Sequence, residues 1–274
     1  MSIDLKSCCA TAYEDAAVAW LVGDCRHPGG LALTDRLLDA LALSPSSCLL
    51  DVATGTGASA LRAARDCGCR VIGLDLGAHG IAAATEAACA ANLESRTRFV
   101  VGDAEALPLD EASVDAVLCE CALCLFPDPA SALAEVVRVL RPGGRLALSD
   151  VTCEEPAALP AELRGTIGHV ACLASARSLT ALTATVAASG LHVLDTAPVN
   201  GAFGELLEQV ESRLRMARML RTHLPAEVRD RLDQADRLLE QAGVAIDRGL
   251  VGYAVVIAEA PPARSASTAA PTAA

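Results

Sequence analysis

From residue 48 onward, short β-rich apolar runs alternate with longer amphipathic stretches. "CLLDVA" (48–53), "RVIGLDL" (70–76), "TRFVVGDA" (97–104), "VDAVLCECAL" (114–123) and "RLALSDV" (145–151) read as strands. Between them "ASALRAARDCG", "GIAAATEAACAANL" and "DPASALAEVVRVL" read as helices. The last of these has Asp128 placed to cap it, and "RPGG" follows as a turn. Strand and helix in strict alternation predict right-handed βαβ units and a parallel sheet. An amphipathic segment, "LALTDRLLDALAL", precedes the first strand. After Asp150 the pattern changes. "PAALPAELRGTIGHVACLASARSLTALTATVAASG" reads as helical, "LHVLDTAPV" as a strand, "GELLEQVESRLRMARML" and "PAEVRDRLDQADRLLEQAG" as two helices, and "GYAVVIAEA" as a last strand. Apolar spacing at Leu207, Val210 and Leu214, and at Leu232, Ala235 and Leu239, fits packing against the sheet or a partner subunit, or a lid over the substrate. Arg213, Arg215, Arg218 and Arg221 are expected on the solvated side.

The first strand runs into a glycine-rich turn, "TGTG", and then a helix. Gly55 and Gly57 let the backbone approach a ligand, and the helix N-terminus behind them presents free N–H groups. An acid at the tip of the second strand, Asp75, suits a ribose diol, so the combination points to a nucleotide.

Composition narrows the classes. A net charge of −12 argues against nucleic acid as a partner. There is no apolar run long enough for a membrane span, and no basic start and apolar stretch that would make a secretory signal. The expected location is cytoplasmic. Twelve cysteines in such a chain read as reduced thiols rather than a disulfide framework. Cys48, Cys67, Cys69, Cys89 and Cys119 are expected in the core, as small hydrophobes. Cys119 and Cys121 are expected on one face of the fourth strand, with Glu120 on the other. Cys121 and Cys124 are placed equally well to fill the core or line a pocket. Aromatics are scarce, so an aromatic cage is hard to build. His27, His79, His169, His192 and His223 fall in no catalytic motif, and His27 is set apart by its neighbour Cys25.

"LLDVATGTG", "GLDL", "GDAEALP" and "RVLRPGGRLALSD" together resemble the class I S-adenosylmethionine-dependent methyltransferases, over roughly residues 46–150. The resemblance implies an α/β, Rossmann-like, doubly wound fold: a mainly parallel seven-stranded sheet with a final antiparallel strand and C-terminal helical additions. It implies S-adenosyl-L-methionine as cofactor. Asp75 would bind the ribose hydroxyls, Asp103 the adenine amino group with the Ala104 N–H nearby, and Asp51 to Gly57 the methionine part. Leu76 and Glu120 complete the expected cofactor contacts. The family often has glycine where this chain has Ala53.

The thiols outside the predicted core are similar to those of arsenite methyltransferases. "SCCA", "GDCRHPGG" and "HVACL" after "LSDVT" follow one another as that family's cysteine segments do, and "CECALCL" resembles its "SNCVLNL". The match implies that Cys9 (or Cys8), Cys25 and Cys172 bind trivalent arsenic as substrate rather than a structural metal. A soft centre selects thiolates, and its lone pair needs no general base. A small-molecule or metalloid substrate and a thiol reductant are the expected partners. Two alternatives stay open: an organic acceptor with incidental cysteines, and a non-enzymatic thiol sensor of a metal or metalloid. The expected division is a cysteine-bearing arm and helix at 1–45, a cofactor core at 46–153, substrate-side helices and closing strands of the same domain at 154–260, and a disordered tail at 261–274.

Overall fold

Cys48–Val52 (β1) organises the sheet, because all five of its residues are buried. A strand with apolar side chains on both faces has to be covered by helices on both sides. The computed structural model describes residues 27–165, 172–199, 201–219 and 226–262, together with Trp20, Gly23 and Gly168. After β1 come Arg70–Asp75 (β2), Thr97–Val101 (β3), Val114–Glu120 (β4), Leu140–Cys153 (β5), His192–Pro198 (β6) and Val251–Glu259 (β7). They form one seven-stranded sheet in the order β3-β2-β1-β4-β5-β7-β6. The first five strands are parallel, and β7 runs antiparallel to both β5 and β6. This is the doubly wound fold expected from the sequence. The strand order reverses beside β1, which opens a crevice at the carboxyl ends of β1 and β4.

The helices whose bounds fall among the described residues are Gly30–Leu41 (α1), Ala58–Asp66 (α2), Ala78–Ala90 (α3), Pro129–Val139 (α4), Leu179–Ala188 (α5), Ala202–Met219 (α6) and Ala226–Asp247 (α7). On one face of the sheet, Leu33, Leu37 and Leu41 of α1 and Ala60, Ala63 and Ala64 of α2 cover Leu49, Val71 and Leu118. On the other, Leu133 and Val136 of α4 and Leu182 and Val186 of α5 cover Leu50, Val117 and Leu148. Leu49 and Leu50 point to opposite faces and are both fully buried, each worth roughly 1.5–3 kcal/mol of apolar transfer. Asp128 caps α4 as expected: its carboxylate accepts from the Ser131 N–H at 3.1 Å, and Pro129 sits in the first turn. Leu214 of α6 is fully buried, and α6 and α7 are joined by an Arg218–Asp236 ion pair. Arg221 lies outside the described residues, as do His169 and His223. No helix among the described residues is long and apolar enough to cross a membrane.

Two expectations change. The "RPGG" turn is absorbed into β5, yet its bend survives. Gly143 has φ 75°, and a Cβ on Gly144 would lie 2.8 Å from the Arg141 carbonyl oxygen. The long helix expected after Asp150 is broken. Pro156–Ala158 and Ala161–Arg164 are single 3-10 turns, Gly168 is helical, and a separate α-helix starts at Leu179, where the Ser178 hydroxyl accepts from the Ala181 N–H. Pro156 and Pro160 have no N–H to give to a helix ladder and stop it from growing.

Candidate cofactor and thiol site

The chain leaves β1 through three left-handed positions: Ala53 at φ 59°, Gly55 at 54° and Gly57 at 82°. Gly57 heads α2 without a side-chain cap. A Cβ there would meet that of Ala84 at 2.9 Å, so only glycine lets α2 and α3 close this tightly. A Cβ on Gly55 would meet nothing within 4 Å, so the space over that peptide is open. Asp75 braces the loop: its two carboxylate oxygens accept from the Gly55 and Gly77 N–H groups, each at 2.8 Å. Each oxygen keeps a further acceptor direction. Leu76, next to it, is 41% exposed. Asp103 follows β3 and accepts from the Glu105 N–H at 2.9 Å, with Ala104 buried beside it. Asp51, Ala53, Gly55, Gly57, Asp75, Leu76, Asp103 and Ala104 thus all stand at or just beyond the carboxyl ends of β1, β2 and β3.

Glu120 ends β4 on the same edge, and its partners were not foreseen. Its buried carboxylate accepts from the Thr34 hydroxyl at 3.0 Å and the Ser59 hydroxyl at 2.5 Å, and the His27 Nε2 lies 3.5 Å away. The available signal was Thr34, a lone polar residue on the leucine face of α1. Asp51 is also buried and accepts from the Thr54 hydroxyl at 2.6 Å. Burial pushes its carboxyl up to about 8. The Thr54 bond opposes this, and the Glu120 and Asp75 charges add to it. A pair of acids so placed favours a cation between or beside them.

The thiols divide differently from expectation. Cys8, Cys9 and Cys25 lie outside the described residues. Cys172 is 2% exposed, and its Sγ stands 3.7 Å from that of Cys121. Both sit at positive φ, 65° and 53°. Such backbone costs of order 1–3 kcal/mol per non-glycine residue and persists only where its surroundings impose it. The turn at Cys121 also corrects the strand reading. Cys119 faces the α4 side, whereas Cys121 packs on the α1 side, because the left-handed residue breaks the alternation after Glu120. Cys124 is core, 3% exposed, and its N–H donates to the Asp150 carboxylate at 2.8 Å. Burial first and Cys172 second push the Asp150 carboxyl up to about 7. The Cys121 thiol is pushed up by its bond to Cys172 and by burial, the Cys124 thiol by burial and Cys172. The Tyr253 hydroxyl, 3.0 Å from that of Ser149, completes this cluster. Of the thiols expected in the core, Cys48, Cys69 and Cys119 are buried and Cys67 half-buried. Cys89 is exposed, since it falls on the outer side of the alanine-rich α3. Among the described residues no three His, Cys, Asp or Glu side chains are grouped to hold a metal ion.

Residues 50–148 match the methyltransferase domain family. The chain is 37% identical over 131 residues to 27-O-demethylrifamycin SV methyltransferase of Amycolatopsis mediterranei, covering 47% of this chain and 48% of that protein. It is 31% identical over 160 residues to arsenite methyltransferase of Halobacterium salinarum, covering 57% of this chain and 40% of that protein. The chain therefore spans about half the length of these curated relatives. Its fold matches phosphoethanolamine N-methyltransferase 2 of Haemonchus contortus, solved with S-adenosyl-L-methionine, at a TM-score of 0.79. That match has 17% identity and covers 94% of this chain and 60% of the other. Residues 50–148 thus carry the methyltransferase-domain match, on a fold shared with a structure solved with S-adenosyl-L-methionine.

Proposed function

We propose that the protein transfers a methyl group from S-adenosylmethionine to trivalent arsenic held by thiols. The observation that carries the finer part is Cys172, a buried thiol facing a second thiol on the edge of the sheet that also bears the glycine loop. The residues present fit the cofactor. The open space over Gly55 is a cradle that a side chain would fill, and the acidic lining suits a cation. Asp75 would hold the ribose hydroxyls, Asp103 and the Ala104 N–H the adenine, and the Asp51–Gly57 turn with Glu120 the methionine end. Exposed Leu76 would lie under the adenine. When bound, the cofactor supplies an activated methyl group on a sulfonium. The chain's part is position and exclusion of water.

Cys9 (or Cys8) and Cys25 would join Cys172 in holding the arsenic, with a thiol reductant keeping them reduced. A lone-pair nucleophile has no proton to lose, so this reading asks no side chain to act as a general base. Residues 1–45 would form an arm over the cofactor core at 46–153, and 154–260 the substrate side, ahead of a tail at 261–274. A second reading, methyl transfer to an organic small molecule, is favoured by the similarity to the rifamycin enzyme. Transfer of labelled methyl groups to arsenite, selenite and a panel of organic acceptors separates the two. Arsenite turnover that Cys172→Ser abolishes supports the first. Turnover of an organic acceptor that is indifferent to Cys172→Ser supports the second.

A further inference from the structure

Residues 102–113 join β3 to β4 without forming a helix, although they cross from one edge of the sheet to the far side of β1. Near the start of this connection stand Asp103 and Ala104, the proposed adenine contacts. A bridge pairs Asp103 with Ala106. Beyond it the path is held by side chains of a helix on one face of the sheet, α4.

That helix grips the connection at two points. At its N-cap the Asp128 N–H donates to the Glu105 carboxylate at 3.0 Å. In its last turns Glu135 and Arg138 form a two-pronged ion pair. The Arg138 Nε donates to one Glu135 oxygen and Nη2 to the other, both at 2.7 Å. The pair then clasps the backbone. The Leu107 N–H donates to the Glu135 carboxylate at 2.8 Å, Arg138 Nη2 donates to the Leu107 carbonyl at 3.0 Å, and Nη1 donates to the Leu109 carbonyl at 2.7 Å. Leu107 is buried, so its N–H and C=O need such partners. A planar guanidinium suits the task, because its fixed fork of donors serves a carboxylate and two carbonyls at once. The Arg138 bonds also hold the Glu135 carboxyl below the usual carboxylate range, against the burial that would raise it.

Only Ala104, Glu105 and Ala106 separate Asp103 from the clasped Leu107. The Asp103 carboxylate accepts from the Glu105 N–H at 2.9 Å, so its direction is tied to the backbone of this same short stretch. We infer that Glu135 and Arg138 are positioning residues for adenine: from α4 they fix the segment that aims the Asp103 carboxylate and the Ala104 N–H, and so set the choice of base. The inference rests on the cofactor reading and deepens it. An exocyclic amino group donates to a carboxylate, whereas the oxo group of hypoxanthine sets an acceptor against an acceptor. A site built to bond an N–H rejects the analogue that lacks it, and alignment decides how strongly. The ribose and methionine ends rest instead on Asp75 and the glycine loop, which lead into α3 and α2.

The probes are S-adenosylhomocysteine and S-inosylhomocysteine, which carry adenine and hypoxanthine on the same ribose and amino acid. Each is titrated calorimetrically into the full chain. The unaltered protein should prefer the adenine ligand at least about tenfold. Arg138→Met should cut that preference at least about threefold, all of it lost from the adenine ligand. Affinity for the hypoxanthine ligand should stay within about twofold, which is the check on folding. In an Asp103→Asn background Arg138→Met should change the preference no further, because its effect travels through that carboxylate. Arg141→Met, which breaks the ion pair to Asp115, should leave the preference unchanged. No preference in the unaltered protein, an unchanged preference in Arg138→Met, equal weakening of both ligands, or a loss additive with Asp103→Asn overturns the inference and leaves the cofactor reading standing. Binding of neither ligand to the unaltered protein removes the cofactor reading and the inference with it.

Discussion

The two ends of the crevice are built from different materials. At β1, β2 and β3 the site is mostly backbone: a turn of left-handed residues, a helix N-terminus, and Asp75 tying the Gly55 and Gly77 N–H groups together. Around β4, β5 and β7 it is side chain: Cys121, Cys124, Cys172, Asp150, Ser149 and Tyr253, drawn together from four separate stretches. A backbone site tolerates change at its side chains as long as the path of the chain is kept. A side-chain site depends on the identity of each member. One fold can therefore keep its cofactor end and vary its substrate end.

That contrast is tested most severely by Cys172→Ser and Cys25→Ser. Each is expected to abolish arsenite methylation while leaving S-adenosylmethionine affinity within about twofold, since serine keeps the size but is a hard, weakly acidic ligand. Equal loss from Cys69→Ser would mean general destabilisation and no division between the ends. Next in size is Asp75→Ala, which removes the brace of the loop and the proposed ribose acceptor together. Cofactor binding should weaken by about 1.5–3 kcal/mol. Calorimetry giving an unchanged affinity would remove Asp75 from the site.

Titration compares the ends directly, because each holds one buried aspartate with a raised carboxyl. The carboxyls of Asp51 and Asp150 are raised in the folded protein to about 8 and about 7, whereas an unfolded aspartate titrates near about 3.9. Between about pH 4 and pH 8 the folded state holds protons that the unfolded chain has lost. Stability from these two groups therefore falls as pH rises through that window and levels off above it. Denaturant midpoints measured across the window should decline. Asp150→Asn should flatten the part below about pH 7, and midpoints that climb instead would reverse the assignment. The smallest effect is expected at Ala53→Gly. Relief of the left-handed strain at φ 59° outweighs the added freedom of the unfolded chain, for a gain of up to about 1 kcal/mol in thermal or denaturant unfolding.

How legible each end was in the sequence follows from the same difference. Strand alternation, the glycines and the acids after β2 and β3 lie within a few residues of each other, so local rules place them. The likeness to methyltransferases supplied the closing antiparallel strand. The contact between Cys121 and Cys172 spans 51 residues and depends on a left-handed turn that no local signal announces. Glu120 was singled out, but its partners Thr34 and Ser59 come from helices 86 and 61 residues away. Between Pro156 and Pro160 the apolar spacing favours a helix, but two residues without an N–H outweigh it.

The insertion of β7 between β5 and β6 also sets an order of assembly. Strands β2 to β5 each pair with a strand made earlier in synthesis, so they can close as the chain emerges. The flank of β5 beyond β4 waits for Val251–Glu259, and the bond from Ser149 to Tyr253 closes a separation of 104 residues. Long-range pairing of this kind is slow, and an uncovered strand edge is a template for other chains while it waits. The wall of the thiol cluster is thus the last part of the sheet to arrive. Until β7 closes, Cys121 lacks the Tyr253 hydroxyl that stands against its thiol in the finished fold.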